Sequence, residues 1–197
     1  MNHLVIRVVY AKNVSSEVGW DHKVARGILI SPAVDTQPGS NNITIQHSSI
    51  TEIGPKDDGD GIVVQGFTNG VGLKIYNNVF DKNHKRAIKI QSPGAEIKNN
   101  QIINSFQSNN FYETYKETYE YDMWSAISVY ADNVKIEGNT ISGTGSFSAA
   151  VDISGGNNVE VIGNWAANGE NSVYTKSDTI RINKRYDGTS SFKNISI

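Results

Sequence analysis

The chain lacks cysteine and contains no long apolar run, and each absence excludes a class of protein. Without cysteine there is no disulfide scaffold and no thiolate metal site. No segment is apolar for long enough to cross a bilayer, and residues 1–9 do not have the pattern of a signal peptide. The formal net charge of −2 provides no attraction to nucleic acid or to anionic lipid. We therefore expect neither nucleic acid nor a membrane as a partner.

What the chain does contain is glycine, asparagine, serine and isoleucine, in two short elements that are each repeated. The first element reads apolar, polar, apolar, two free positions, asparagine, one free position, apolar. Its copies lie at residues 42–50 (with serine in place of asparagine), 72–80, 94–102, 133–141 and 158–166. The second element is a small residue followed by two β-branched or aliphatic residues that are two positions apart. Its copies lie at 27–30, 61–64, 87–90, 126–129, 150–153 and 179–182.

The two elements alternate along the chain, which predicts the architecture. Successive copies of the second element are 34, 26, 39, 24 and 29 residues apart. A basic period in the low twenties, lengthened by loop insertions, is typical of an all-β fold, the right-handed single-stranded parallel β-helix, here with about six to seven rungs. We expect one domain over residues 1–197. Because residues 194–197 match the start of another strand, we also expect a fragment of a longer chain, or an end covered by a partner subunit.

The repeat predicts which side chains stack on one another. Two apolar ladders should fill the core, and an amide ladder should run along the turn between them. The predicted ladders are Ile45, Ile75, Ile97, Ile136 and Val161; Ile50, Phe80, Ile102, Ile141 and Ala166; and Ser48, Asn78, Asn100, Asn139 and Asn164. Thr44, Lys74, Glu96, Lys135 and Glu160 should face solvent.

Residues 105–124 form an aromatic and acidic insertion between two repeats. Three of its tyrosines have the spacing of one helical face, and a tryptophan follows. We expect these side chains to bind substrate by stacking on sugar rings. They are Tyr112, Tyr115, Tyr119 and Trp124. The alternative is a subunit interface, which is also rich in aromatic residues.

The positions just before the second element are unusually charged. If the repeats stack in register, Asp60 lies beside Arg86 and Arg26, and Asp58 lies beside His84. Neighbouring parallel strands are about 4.8 Å apart, so these groups would be in contact. No other edge of the predicted fold gathers so many charges.

Such a cluster fits the cleavage of a polysaccharide. Glycoside hydrolysis needs a carboxylic acid and a second carboxylate, which Asp58 and Asp60 could supply, with His84 and Arg86 tuning them. A lyase would instead use aspartates to hold Ca²⁺ against a uronate while His84, Lys85 or Arg86 takes the proton. We expect Asp57 and Lys85 to bind substrate. Two alternatives stay open: ion pairs between neighbouring repeats with no catalytic role, and binding of sugar or metal without catalysis.

These repeated elements, such as Gly61-Ile62-Val63-Val64 and Leu73-Lys74-Ile75-Tyr76-Asn77-Asn78-Val79-Phe80, resemble those of the pectate-lyase-like superfamily of right-handed parallel β-helices. Asp58-Gly59-Asp60-Gly61-Ile62 is similar to an Asp-Gly-Ile motif of polygalacturonases. The Gly-Asp-Asp and His-Gly motifs of those enzymes are absent, so their mechanism does not carry over. The acidic, aromatic-rich character resembles bacteriophage tailspike depolymerases.

The resemblance implies an extracellular or virion-associated protein, a homotrimer, that degrades a surface or uronate-containing polysaccharide as a glycoside hydrolase or a polysaccharide lyase. The alternative is a non-catalytic structural, receptor-binding or glycan-binding protein of a phage tail or cell-surface assembly. We expect no tightly bound cofactor other than Ca²⁺ in the lyase mechanism.

Overall fold

The computed structural model describes residues 4–7, 10–12, 25–32, 42–54, 59–70, 72–104, 125–142, 149–167, 178–182 and 191–197. These residues form strands and turns, and none of them lies in a helix. Accordingly, no helix that could span a membrane occurs among them. The strands are β1 (Leu4–Arg7), β2 (Tyr10–Lys12), β3 (Arg26–Ile30), β4 (Ile43–Gln46), β5 (Ser49–Thr51), β6 (Asp60–Val64), β7 (Leu73–Tyr76), β8 (Val79–Asp81), β9 (Ile88–Ile90), β10 (Ala95–Lys98), β11 (Gln101–Ile103), β12 (Ser125–Tyr130), β13 (Val134–Glu137), β14 (Thr140–Ser142), β15 (Ala149–Ile162), β16 (Trp165–Ala166), β17 (Asp178–Ile182) and β18 (Phe192–Ser196).

The strands build two parallel sheets. The larger sheet has twelve strands in the order β1-β4-β7-β10-β13-β15-β12-β9-β6-β3, with β17 and β18 also paired to β15. The smaller sheet has six strands in the order β16-β14-β11-β8-β5-β2. Within each sheet, copies of the same sequence element lie side by side, which is why equivalent residues of successive repeats become neighbours.

Strand β15 overturns the predicted right-handed parallel β-helix. In that solenoid of six to seven rungs, the two repeated elements would lie in separate sheets with a turn between them. Instead β15 runs without a break from Ala149 to Ile162, through one copy of each element, and joins both sets of strands in one curled sheet. The described residues therefore form a curled twelve-stranded parallel sheet with a six-stranded parallel sheet, and this part of the chain is all-β, as expected.

The core confirms the two predicted apolar ladders. Ile75 pairs with Ile45 on one side and with Ile97 on the other, and Ile136 continues the series to Val161. In the six-stranded sheet, equivalent pairing aligns the second series. Its members are Ile50, Phe80, Ile102, Ile141 and Ala166. Apart from Ala166, every member of both ladders is almost completely buried. Burial of aliphatic side chains in this regular stack supplies the main driving force for folding.

The predicted amide ladder is also confirmed. Asn100 Oδ1 accepts hydrogen bonds from Asn78 N and Asn78 Nδ2, both at 3.0 Å, while Asn100 Nδ2 donates to Ile75 O at 2.9 Å. Asn139 and Asn164 repeat the arrangement in the following layers. In the copy that has serine, Ser48 N donates to Asn78 Oδ1. The ladder satisfies buried polar groups at a turn that would otherwise leave them without partners.

The residue before each position of the amide ladder adopts a left-handed backbone conformation. This residue is one of the two free positions in the pattern of the first element. The φ angles there lie between 52° and 65°, at His47, Asn77, Asn99, Gly138 and Gly163. Another turn repeats the conformation at Glu52, Lys82 and Asn104, with φ of 53–54°. Asparagine and glycine tolerate this region, whereas a lysine or a glutamate is strained there.

Replacing Lys82 with asparagine is expected to raise the free energy of unfolding by about 0.5–1 kcal/mol, because asparagine tolerates the left-handed conformation that lysine resists. The Lys82 side chain is exposed, and its backbone N–H keeps its bond to Ile103 O. Urea unfolding measures the change. Lys74→Asn, at an exposed position of strand β7, is the matched control and should not be stabilising, because asparagine is disfavoured in strands. Equal stability of Lys82→Asn and the native chain would contradict the strain.

Candidate functional site

Asp60 and Arg86 meet as the sequence predicts. Arg86 Nε lies 2.9 Å from Asp60 Oδ1 and Arg86 Nη2 lies 3.0 Å from Asp60 Oδ2, and the backbone N–H of Arg86 also donates to Oδ1 at 3.2 Å. Arg86 Nη1 donates to the hydroxyl of Tyr130 at 3.3 Å. Arg26 is the register partner of Asp60, but both carboxylate oxygens are bonded to Arg86.

The Asp60–Arg86 pair is buried, with 0% and 1% of the two residues exposed. A forked, two-bond pairing of this kind is the strongest arrangement open to arginine and a carboxylate. Both carboxylate oxygens of Asp60 accept hydrogen bonds from Arg86, so the carboxylate is directed at a buried protein group. A catalytic acid or base must be within hydrogen-bond reach of its substrate. The catalytic role of these two residues stays a prediction, and their geometry is that of a structural pair rather than a solvated surface one.

Residues 83–86 hold both ends of the glycine-bounded loop 54–59. Asn83 Oδ1 accepts a hydrogen bond from Ile53 N at 3.2 Å, and His84 N donates to Ile53 O at 2.8 Å. At the other end, Lys85 N donates to Gly59 O at 3.0 Å. The base of the loop is therefore fastened at both sides by backbone and amide bonds.

The imidazole of His84 packs against the glycines at the loop base. A Cβ added at Gly54 would lie 2.2 Å from His84 Cγ, and one added at Gly59 would lie 2.9 Å from His84 Cβ. Only glycine permits this approach at Gly54, whose φ of 150° is rare for other residues. Partly buried His84 thus lies at the foot of the loop that carries the predicted aspartates, while the Lys85 residue beside it is fully buried.

Several predicted site residues lie outside the described residues. They are Asp57, Asp58, Tyr112, Tyr115, Tyr119 and Trp124, together with the rest of the 105–124 insertion. The predicted contact between Asp58 and His84 accordingly stays a prediction. Within the described ranges, no three histidine, aspartate or glutamate side chains are grouped so that they could hold a metal ion. The Ca²⁺ of the lyase mechanism accordingly stays a prediction.

A second buried ion pair was not predicted. Asp152 in β15 pairs with Arg181 in β17, its register partner, and no part of Asp152 is exposed. The sequence could have indicated this pair. Asp152 and Arg181 occupy the polar middle position in two consecutive copies of the second element, so they become neighbours when the copies pair in register. A buried hydroxyl pair, Ser125 Oγ to Ser128 Oγ at 2.6 Å, lies in the neighbouring strand β12.

The outer face of β7, β10, β13 and the last part of β15 carries charges of alternating sign. Thr44 in β4 was predicted to face solvent on the same side, but it is buried. Lys98 Nζ and Lys135 Nζ lie 2.8 Å and 3.3 Å from Glu137 Oε2, and their hydrogen bonds hold the pKa of that carboxyl below its usual range. Burial and a hydrogen bond to Glu96 raise the pKa of the Tyr76 phenol. These partly exposed pairs contribute little to stability, but they make this surface strongly polar.

Comparisons with known proteins provide no relative. No family model matches the chain, and no curated protein or solved structure is similar to it. Function must therefore be argued from the residues and their geometry.

Proposed function

We propose that the chain is a non-catalytic, glycan-binding structural module of a phage tail or cell-surface assembly, with a polysaccharide as its partner. The observation that supports this most is the Asp60–Arg86 pair. Two of the four residues that were expected to be catalytic, Asp60 and Arg86, are buried and bonded to each other, and Arg86 is held further by Tyr130. Their contribution is to the scaffold, which leaves recognition to the outer surfaces of the sheets.

A second candidate is a polysaccharide depolymerase, and a different observation favours it. His84 packs on Gly54 and Gly59, at the base of the loop that carries Asp57 and Asp58. Two carboxylates of that loop would supply the acid and base of a hydrolase. Alternatively, they would hold Ca²⁺ while His84 takes a proton from a uronate, as a lyase requires. In either mechanism Asp60 and Arg86 position the loop and do not react.

Incubation of the native chain with amylose, mannan, xylan and polygalacturonate distinguishes the two functions. The proposal expects retention by at least one of them in affinity electrophoresis, with no new reducing ends and no ultraviolet-absorbing unsaturated ends. Cleavage that is lost in the Asp57→Asn/Asp58→Asn variant would establish the depolymerase and refute the proposal. Glu160→Gln, which removes an exposed carboxylate from β15, is the matched control and should behave like the native chain.

A further inference from the structure

The outer face of the six-stranded sheet differs from the charged face described above. The middle residues of β5, β8, β11 and β14 point into the core, so their neighbours on either side point outward. We name these outward residues the uncharged strip, because eight of the nine carry no charge. They are Ser49, Thr51, Val79, Asp81, Gln101, Ile103, Thr140, Ser142 and Trp165. Asp81 is the one ionisable member among these positions, and its carboxylate accepts a hydrogen bond from Asn104 Nδ2 at 2.9 Å.

Trp165 is the most prominent member of the uncharged strip. It is 57% exposed, although burial of a tryptophan side chain is strongly favourable. Its register partner is Thr140, which pairs in turn with Gln101, and Gln101 pairs with Val79. An exposed indole thus lies in line with a hydroxyl, an amide and an exposed apolar side chain on adjacent strands.

This combination matches the chemistry of a sugar chain. A pyranose ring has a face of C–H groups, which packs on an aromatic ring, and a rim of hydroxyl groups, which exchange hydrogen bonds with hydroxyl and amide side chains. From β5 to β16 the uncharged strip extends about 19 Å at the ordinary strand spacing, enough for several sugar units. Among the nine named residues of the strip, the one ionisable group is the Asp81 carboxylate, which repels the carboxylate of a uronate, so charge complementarity selects a neutral chain.

We propose that the uncharged strip is the binding site for a neutral polysaccharide and that Trp165 is its stacking platform. The inference rests on the proposed glycan-binding function and specifies both its surface and its ligand class. Lys74, Lys98 and Lys135 lie on the twelve-stranded sheet and take no part in this site, and Lys12 belongs to β2, the strand next to β5 beyond the end of the strip.

The test is affinity electrophoresis of the full chain in gels that contain amylose, mannan, xylan or polygalacturonate. We expect retardation by a neutral polysaccharide, and at least about a tenfold weaker interaction for Trp165→Ala, as for a tryptophan that contributes a large share of the binding energy of an interface. Trp165→Tyr should retain most of the binding. Ile162→Ala, which removes another exposed apolar side chain beyond the same turn, is the matched control and should bind like the native chain. Thermal unfolding confirms that all variants are folded.

The other outcomes separate the inference from the function on which it rests. Retardation that Trp165→Ala leaves unchanged, or retardation by polygalacturonate alone, would overturn the uncharged strip as the site while the glycan-binding function stands. A native chain that no polysaccharide retards would overturn both. A fall in oligomer mass for Trp165→Ala, measured by light scattering, would show that Trp165 belongs to a subunit interface and would refute the inference.

Discussion

Replacing Arg86 with methionine is expected to lower the free energy of unfolding by about 3–5 kcal/mol, because it leaves the Asp60 carboxylate buried without its partner. The pair has 0% and 1% exposure, so water does not replace the guanidinium without opening the structure. Three hydrogen bonds to Asp60 and one to Tyr130 involve Arg86, and the backbone one alone survives the substitution. Urea unfolding followed by far-ultraviolet circular dichroism measures the loss.

The control for Arg86→Met is the double variant Asp60→Leu/Arg86→Met. Apolar replacement of both members of a buried pair is often neutral, so the double variant should regain most of the stability. It also keeps the test informative if the single variant does not fold, since a loss of this size is a large part of a typical domain's stability. Stability of Arg86→Met within about 1 kcal/mol of the native chain would contradict a structural role for the pair.

Asn100→Ala is the second substitution with a large expected effect. It removes the acceptor for Asn78 N and Asn78 Nδ2 and the donor for Ile75 O, all of them buried. Each buried polar group left without a partner costs about 1–3 kcal/mol, so we expect a loss of about 3–5 kcal/mol after local relaxation. The comparison is by urea unfolding.

Gln101→Ala is the matched control for the amide ladder. Gln101 is the next residue along the chain and is exposed, so its truncation should change stability by no more than about 0.5 kcal/mol. If Asn100→Ala were as mild as Gln101→Ala, the amide ladder would not be a source of stability, and its regular hydrogen bonds would merely accompany the packing of the isoleucines.

The contacts that the sequence predicts well are those set by register. Once parallel strands pair copy against copy, Ile75 must meet Ile97, Asn78 must meet Asn100, and Asp60 must lie near Arg86. These follow because side chains alternate strictly along a strand and a shift by one residue would expose the core face. The same reasoning, applied to the polar middle positions of the second element, would have found Asp152 and Arg181.

The architecture was predicted less well, and strand β15 shows why. The segment Gly155-Gly156-Asn157 reads as a turn between two elements. In the structure, Gly156 passes so close to the bend after β12 that an added Cβ would lie 2.2 Å from Ala131 O. Its N–H still donates to Ser191 O at 2.9 Å, so pairing continues where a turn was expected. Glycine allows both outcomes, and only the neighbouring strands decide between them.

The candidate site illustrates a different limit. Register places Asp60 between Arg26 and Arg86 and does not say which arginine it binds. The choice follows from side-chain direction and from extra bonds, since Arg86 reaches the carboxylate through its backbone as well as its guanidinium. The sequence pattern does not reveal burial either: the charged edge was expected to bind and cleave a polysaccharide, yet Asp60, Lys85 and Arg86 are buried.

The proposed role of Asp60 and Arg86 is to maintain the fold and not to react with a ligand. The Asp60→Leu/Arg86→Met variant tests this role most directly. Its retardation by polysaccharide gels and its release of reducing or unsaturated ends should be measured beside the native chain. We predict equal retardation and no cleavage by either protein. Cleavage by the native chain that the folded double variant has lost would contradict this, because the pair would then contribute to a reaction as well as to the fold.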